Sequence, residues 1–342
     1  MSFHVLLQAK HMIRNRDISP SLESGGNVCM NKDKAAAKVI VFGISRRAVQ
    51  ALADDLPADY YVIEWRHGEG QRGEPGGADH ESLHADLFSL AEAERALEGA
   101  AYAVYAVPSV LSSARLTQGK PEDLHVILAD NFARAAKKAG VERILYVERP
   151  LEGGAERLDL ESRATLSAHG VPVTVISSTA QEESVERLSS SVVHSNTVRS
   201  VQRFLLPKGQ NAAWVAAAYA RWLSDTMKPI IRVHQAEGKL CFLLWGIKKP
   251  LLELTYSAER SAPDRVLYYI SGGMLARTDD LPGRGRLEFR EVLSGTHVIV
   301  AIHDFIPKLP WLLYRGTQAL IHLAVMHAYG RFLQRSQKEG KG

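Results

Sequence analysis

Apolar residues change their period near the middle of the chain. In the first half they form short runs, "VIVFG" (39–43), "YYVIEW" (60–65), "AYAVYAV" (101–107), "RILYVE" (143–148) and "VPVTVIS" (171–177), with a shorter "LHADL" at 83–87. Between them, "SLAEAERALEGA" and "HVILADNFARAAKKAG" carry apolar residues at helical spacing, and the second closes on Lys137, Lys138 and Gly140, which suit a helix C-terminus. Continuous apolar strands alternating with helices predict a parallel sheet covered on both faces, a doubly wound α/β domain with its ligand edge at the strand C-termini. A polar, serine-rich junction follows at 178–196. Beyond it, "VRSVQRFLLP" alternates like a strand, "NAAWVAAAYARWLSDTM" is helical, and six strand-like stretches joined by short turns predict antiparallel hairpins. A long amphipathic helix over 309–335 closes the pattern.

Composition narrows this reading. The 342 residues, 46% hydrophobic, suit two cores of about 150 residues each. Their boundaries fall as a loose extension (1–34), an α/β domain (35–180), a linker (181–196) and a second domain (197–338). The 42 basic and 38 acidic residues are dispersed without a basic stripe, which argues against nucleic acid as a partner. Cys29 and Cys241 stand far apart without metal-ligand spacing, so neither a disulfide nor a metal site is predicted, in keeping with a cytoplasmic protein. The most apolar stretch carries Arg315, Gln318 and His322 and does not read as a membrane span. The first 34 residues show no secretory pattern and no period that continues into the next strand, and residues 1–29 have no apolar period that could dock on the sheet edge.

"VIVFGISRRAVQALADDL" (39–56) reads as strand, glycine turn and helix, the place where a dinucleotide rests its pyrophosphate on free N–H groups and the helix dipole. In a GxxGxxG frame, positions 43, 46 and 49 are Gly, Arg and Val, so one glycine of three is present. Ser45 and Ala48 remain small. Arg46 and Arg47 at a helix N-terminus are each disfavoured by about 0.3–1 kcal/mol unless an anion lies between them.

Residues 37 to about 180 resemble an atypical or extended short-chain dehydrogenase/reductase. "KVIVFGISRRAV" resembles its first strand and turn, "HADL" its "GDL", and "AVYAVP" the fourth strand bordering the cofactor. "DNFARAAKKAGVERILYVE" is similar to its N-x-x-x-A-A-x-x-A-G-V run, and "GVPVTVISS" to its G-h-P-h-T-h-h-R-P strand. The resemblance implies a Rossmann fold and a cofactor site built from Gly43, Ser45, Arg46, Arg47, Ala48, Arg66, Asp86, Leu87, Ala106, Val107, Pro108 and Arg163. Arg66 stands where the family reads the adenosine ribose and suits a 2′-phosphate, so NADP is preferred to NAD. The family's catalytic serine position reads Glu148–Arg149, and Arg163 matches its lysine without a tyrosine at the required spacing, so no catalytic residue is assigned.

The order of elements after residue 197 resembles a helix-grip, or START-like, α+β domain. Its last 65 or so residues also look like the end of bacterial proteins that join a short-chain-dehydrogenase-like module to a domain of unknown function. Such an architecture implies an apolar cavity, for which Glu288, Arg290 and His303 are the polar candidates, though alternating charges more often mark a wet sheet face. His303 and Asp304 should point to opposite faces. His322 and His327, five apart, do not form a metal pair. The functional expectation is an NADPH-dependent reductase of a hydrophobic carbonyl or enoyl substrate. The alternative is a non-catalytic NADPH sensor or lipid- or polyketide-binding protein with a degenerate Rossmann domain. A third reading is a membrane-surface protein using Lys308, Arg315, Arg331 and Arg335.

Overall fold

The computed structural model describes residues 13, 36–44, 46–67, 81–107, 114–148, 155–177, 195–278 and 285–339. In chain order the elements are β1 (Ala37–Phe42), α1 (Arg46–Asp55), β2 (Tyr60–His67), β3 (Glu81–Ala85), α2 (Leu90–Leu97), β4 (Ala100–Ala106), β5 (Ala114–Gln118), α3 (Pro121–Ala139), β6 (Arg143–Glu148), α4 (Ala155–Ser167) and β7 (Val173–Ser177). There follow β8 (Ser195–Leu205), α5 (Ala212–Thr226), β9 (Ile231–Ala236), β10 (Lys239–Leu244), β11 (Pro250–Tyr256), β12 (Arg265–Gly272), β13 (Arg286–Val292), β14 (His297–Phe305), α6 (Trp311–Gly316) and α7 (Gln318–Glu339). The chain divides into two compact units, one of residues 1–111 and 128–193, the other of 112–127 and 194–342.

The first unit holds a six-stranded sheet in the order β3-β2-β1-β4-β6-β7, every pairing parallel. This is the doubly wound, Rossmann-like order, with the reversal between β1 and β4. Both faces are buried, as the continuous apolar runs require. Val39, Val41, Val104 and Leu145 pack with Val49 and Leu52 of α1 on one side. Phe42, Trp65, Tyr105 and Phe132 of α3 form an aromatic layer on the other, with ring centroids 4.8 to 6.3 Å apart. Burial of each such side chain stabilises by roughly 1.5–3 kcal/mol. Ile13 belongs to the first of these clusters: it is fully buried, and its carbonyl accepts from the Tyr60 hydroxyl at 3.2 Å. The expectation that residues 1–29 dock nowhere is corrected at that position.

The second unit holds an eight-stranded sheet in the order β5-β8-β14-β13-β12-β11-β10-β9, antiparallel except for the parallel β5–β8 pair. Helices α5 and α7 contribute Tyr219, Trp222, Met326, Tyr329 and Phe332 to a cluster with Leu287, Phe289, Val298 and Val300 of the sheet. Helix α7 crosses β8 closely, since a Cβ on Gly330 would stand 2.5 Å from Phe204 Cε1. Two differences from the sequence reading have local causes. The single helix over 309–335 is two, broken at Thr317 (φ −128°, ψ −78°), where Gly316 lowers helix propensity and the Thr317 hydroxyl bonds the Leu313 carbonyl. Segment 112–127 lies with the second unit, so the boundary at residue 181 is incomplete: β5, "ARLTQ", lacks an apolar alternation and gains its strand conformation from β8.

Candidate dinucleotide site

The site is built from the C-terminal ends of β1, β2 and β4. Gly43 ends β1 with φ +83°, and a Cβ there would lie 2.1 Å from the Ala106 carbonyl oxygen at the end of β4. Only glycine permits that approach, and it occurs where the strand order reverses, the place such folds bind dinucleotides. Helix α1 begins three residues later with no acidic residue in its first turn, which carries Arg46 and Arg47. Ala48 and Val49 are buried, and Val49 packs in the core beneath α1. The third glycine of the pattern is therefore replaced by a side chain that packs in the core. Arg66 lies near the end of β2, opposite His84 of β3. The side chains of Arg46, Arg47 and Arg66, and the whole of Ser45 and Pro108, lie outside the described residues.

The loop after β3 is locked from within. Asp86 is buried; its Oδ1 accepts the Phe88 N–H at 2.9 Å, and its own N–H donates to Glu92 Oε2 at 2.8 Å. The Ser89 hydroxyl caps α2 by accepting the Glu92 N–H. The fully buried Asn131 of α3 donates from Nδ2 to the Leu87 carbonyl at 2.8 Å, so the asparagine of the "DNFARAAKKAG" run fastens this loop to a helix. Ala106 and Val107 are buried at the end of β4. The structure thus brings Gly43 and Ala106 together and gives one Asp86 carboxylate oxygen a turn-forming role.

Around the position that the resemblance gives the proton donor, the structure shows the following arrangement. Glu148 ends β6, paired with Ser177 of β7, and Arg163 is exposed on α4. Four residues before Arg163 stands Asp159, nearly buried, with Oδ1 accepting the Tyr146 hydroxyl at 2.5 Å. Tyr146 is fully buried on β6, its ring stacked on Tyr105. Burial first, then the bond and charge of Asp159, push the Tyr146 phenol far above its ordinary range. A phenol so held keeps its proton and makes a poor general acid. Asp159, Ser162 and Leu166 are all buried on one side of α4, a helical spacing that marks the buried face without marking the partner of Asp159.

Glu288, Arg290 and His303 lie in the second unit, on the sheet face opposite Leu287, Phe289 and Val300. That face is charged but not wet. Glu288, Arg290 and His303 are each at most 1% exposed. Glu288 Oε1 accepts from Arg265 Nε and Arg290 Nε, each at 2.5 Å, while His303 Nε2 lies 3.7 Å from Glu288 Oε2. Asp304 joins the same cluster through Arg286 Nη1 at 2.6 Å, because a bulge at positive φ (+51°) interrupts the alternation of β14. The expectation that His303 and Asp304 part to opposite faces is corrected by that bulge. Burial alone would raise the Glu288 carboxyl, but Arg265 and Arg290 outweigh it and hold it well below the usual range. Burial, then Arg286, hold His303 neutral well below its ordinary range. The three candidates for an apolar cavity are thus engaged with one another on the face away from α5 and α7.

Among the described residues no group of acidic, histidine or cysteine side chains could hold a metal, and no helix is long and apolar enough to cross a membrane. No protein-family model matches the chain. Over 247 residues, 72% of this chain and 77% of the relative, it is 25% identical to the auxiliary protein GraX of Staphylococcus aureus. Among solved structures it is similar to a nucleoside-diphosphate-sugar epimerase from Staphylococcus aureus (13% identity, 41% of this chain and 50% of that one, TM-score 0.32). It is also similar to the Citrobacter triphenylmethane reductase solved with NADP(H) (18% identity, 40% and 48%, TM-score 0.31). The chain spans about half the length of each of these structures.

Proposed function

We propose that the first unit binds a nicotinamide dinucleotide, NADP in preference to NAD, as a sensed or structural ligand and not as a hydride donor. The observation that carries this reading is the approach of Gly43 to Ala106 at the reversal of strand order, beside a helix whose first turn holds two arginines and no acid. A pyrophosphate between Arg46 and Arg47 would turn a dipole penalty into an attraction. Arg66 would meet the 2′-phosphate with its planar fork. NADPH bound there would reduce a carbonyl only beside a proton donor, and the position at which the resemblance puts that donor is Asp159, whose carboxylate accepts the hydrogen bond of a Tyr146 hydroxyl that keeps its proton. The antiparallel sheet of the second unit, with α5 and α7 packed on one face, supports a helix-grip domain, and the mutual packing of Tyr219, Trp222, Phe289 and Tyr329 between sheet and helices supports a scaffold in place of a substrate pocket. Such a protein would meet its ligand in the cytoplasm.

Fluorescence titration of the full chain with NADPH and NADH tests this reading. Micromolar binding, tighter for NADPH, is expected, with loss in Gly43→Val and about a tenfold smaller preference in Arg66→Ala. NADPH oxidation should stay at background with aldehydes, ketones and enones. Absence of binding at millimolar concentration would remove the proposal, and turnover of a hydrophobic carbonyl substrate would replace it with the reductase.

A further inference from the structure

One rim of the second unit's sheet gathers side chains that its fold does not bury. The antiparallel register places the ends of β10, β12 and β14 and the starts of β9, β11 and β13 along this rim. On its β9–β10 side, Ile230, Trp245 and Ile247 are 55%, 68% and 40% exposed, and the Trp245 N–H donates to the Ile230 carbonyl at 2.8 Å. On its β14 side, Leu312 and Leu313 of α6 and Leu320 and Ile321 of α7 are 56% to 77% exposed. Helix α7 starts at the same rim, since His322 contacts Ser200, opposite Ile302 near the end of β14, and Gly330 lies against Phe204, opposite Val298 near its start. The two apolar groups are separated by five strand spacings, ~24 Å. Backbone bonds from Lys308 N–H to the Leu275 carbonyl and from Met274 N–H to the Pro250 carbonyl tie the rim between them.

Charge decides what such a rim fits. Segments 244–251, 272–278 and 305–317 carry Lys248, Lys249, Arg277, Lys308 and Arg315, all exposed, and no aspartate or glutamate; the remainder of the β12–β13 connection, outside the described residues, adds Asp279, Asp280 and Arg284 in sequence, so these stretches together carry six basic and two acidic residues. A two-fold contact with a second copy would set these cations against themselves. An anionic lipid surface answers both features: leucine, isoleucine and tryptophan enter the headgroup region, and each cation near it gains about 1 kcal/mol. We infer that this rim seats the protein on an anionic membrane surface, with Trp245 and the α6–α7 corner as its two points of entry.

The test is co-sedimentation of the full chain with vesicles of phosphatidylcholine alone or with about 30% phosphatidylglycerol. Binding to the anionic vesicles only, weakening as salt rises, is expected. The double variants Leu312→Asp/Leu313→Asp and Lys248→Glu/Lys249→Glu should each reduce partitioning more than about tenfold at unchanged circular dichroism and thermal midpoint, because the altered side chains are exposed. No sedimentation with anionic vesicles, equal binding to neutral ones, or indifference to both double variants overturns the inference. So does concentration-dependent dimerisation abolished by Leu312→Asp/Leu313→Asp, which would assign the rim to a second copy.

Discussion

His322 projects from α7 with Nε2 3.1 Å from the Ser200 hydroxyl, and burial lowers its pKa to about 4. In the unfolded chain the same imidazole titrates near 6.5. Between these values the unfolded chain binds a proton that the folded chain refuses, so this residue's contribution is complete above about pH 6.5 and is lost as pH falls toward 4. His303, held neutral well below its ordinary range, acts in the same direction. His322→Asn should therefore flatten the decline of the urea midpoint between pH 6.5 and 4; parallel pH profiles for the variant and the parent chain would refute the assignment. At this scale the sequence was partly legible. Gly43 announced itself because a strand ending on glycine before a helix has few other uses. Tyr146 did not, because its partner Asp159 lies on the next helix and no spacing rule links a strand residue to a helix residue thirteen positions on.

Alternation told the elements apart but not their surroundings. On β13 the order Arg286, Leu287, Glu288, Phe289, Arg290 reads the same whether the charged side meets water or meets opposite charges on neighbouring strands. Here it meets charges, and the consequence is measurable. Glu288→Gln leaves Arg265 and Arg290 without their shared carboxylate in a buried setting and should cost about 3–5 kcal/mol in denaturant unfolding. Glu253→Gln, which opens the solvent-exposed pair with Lys239 at 3.2 Å, should cost less than about 1 kcal/mol. Equal costs would mean that the β13 face is hydrated after all. The apolar strands β1, β4 and β6 were legible because a two-sided burial leaves nothing polar to interrupt them. Strand β5 and the bulge at Asp304 were not, since both depend on the neighbour that each meets.

The change of period near residue 180 announced two units, and it concealed how the chain is shared between them. Ile13 shows the same thing at the N-terminus, where "HVLLQAKHMI" lacks the context that would mark one isoleucine as core. A chain starting at Met30 loses that buried side chain, worth roughly 1.5–3 kcal/mol, and should melt roughly 3–10 °C lower than the full chain. A shared thermal midpoint would show that Ile13 contributes nothing. The β5–β8 pairing carries a further consequence for biosynthesis. Thr117 lies opposite Arg199, so the ribosome must deliver over eighty further residues before β5 meets its neighbour, and β6 and β7 of the first sheet are made during that wait. A gene fragment encoding only residues 195–342 would yield β8 with one side stripped of its partner, and a bare strand edge recruits the edges of other chains.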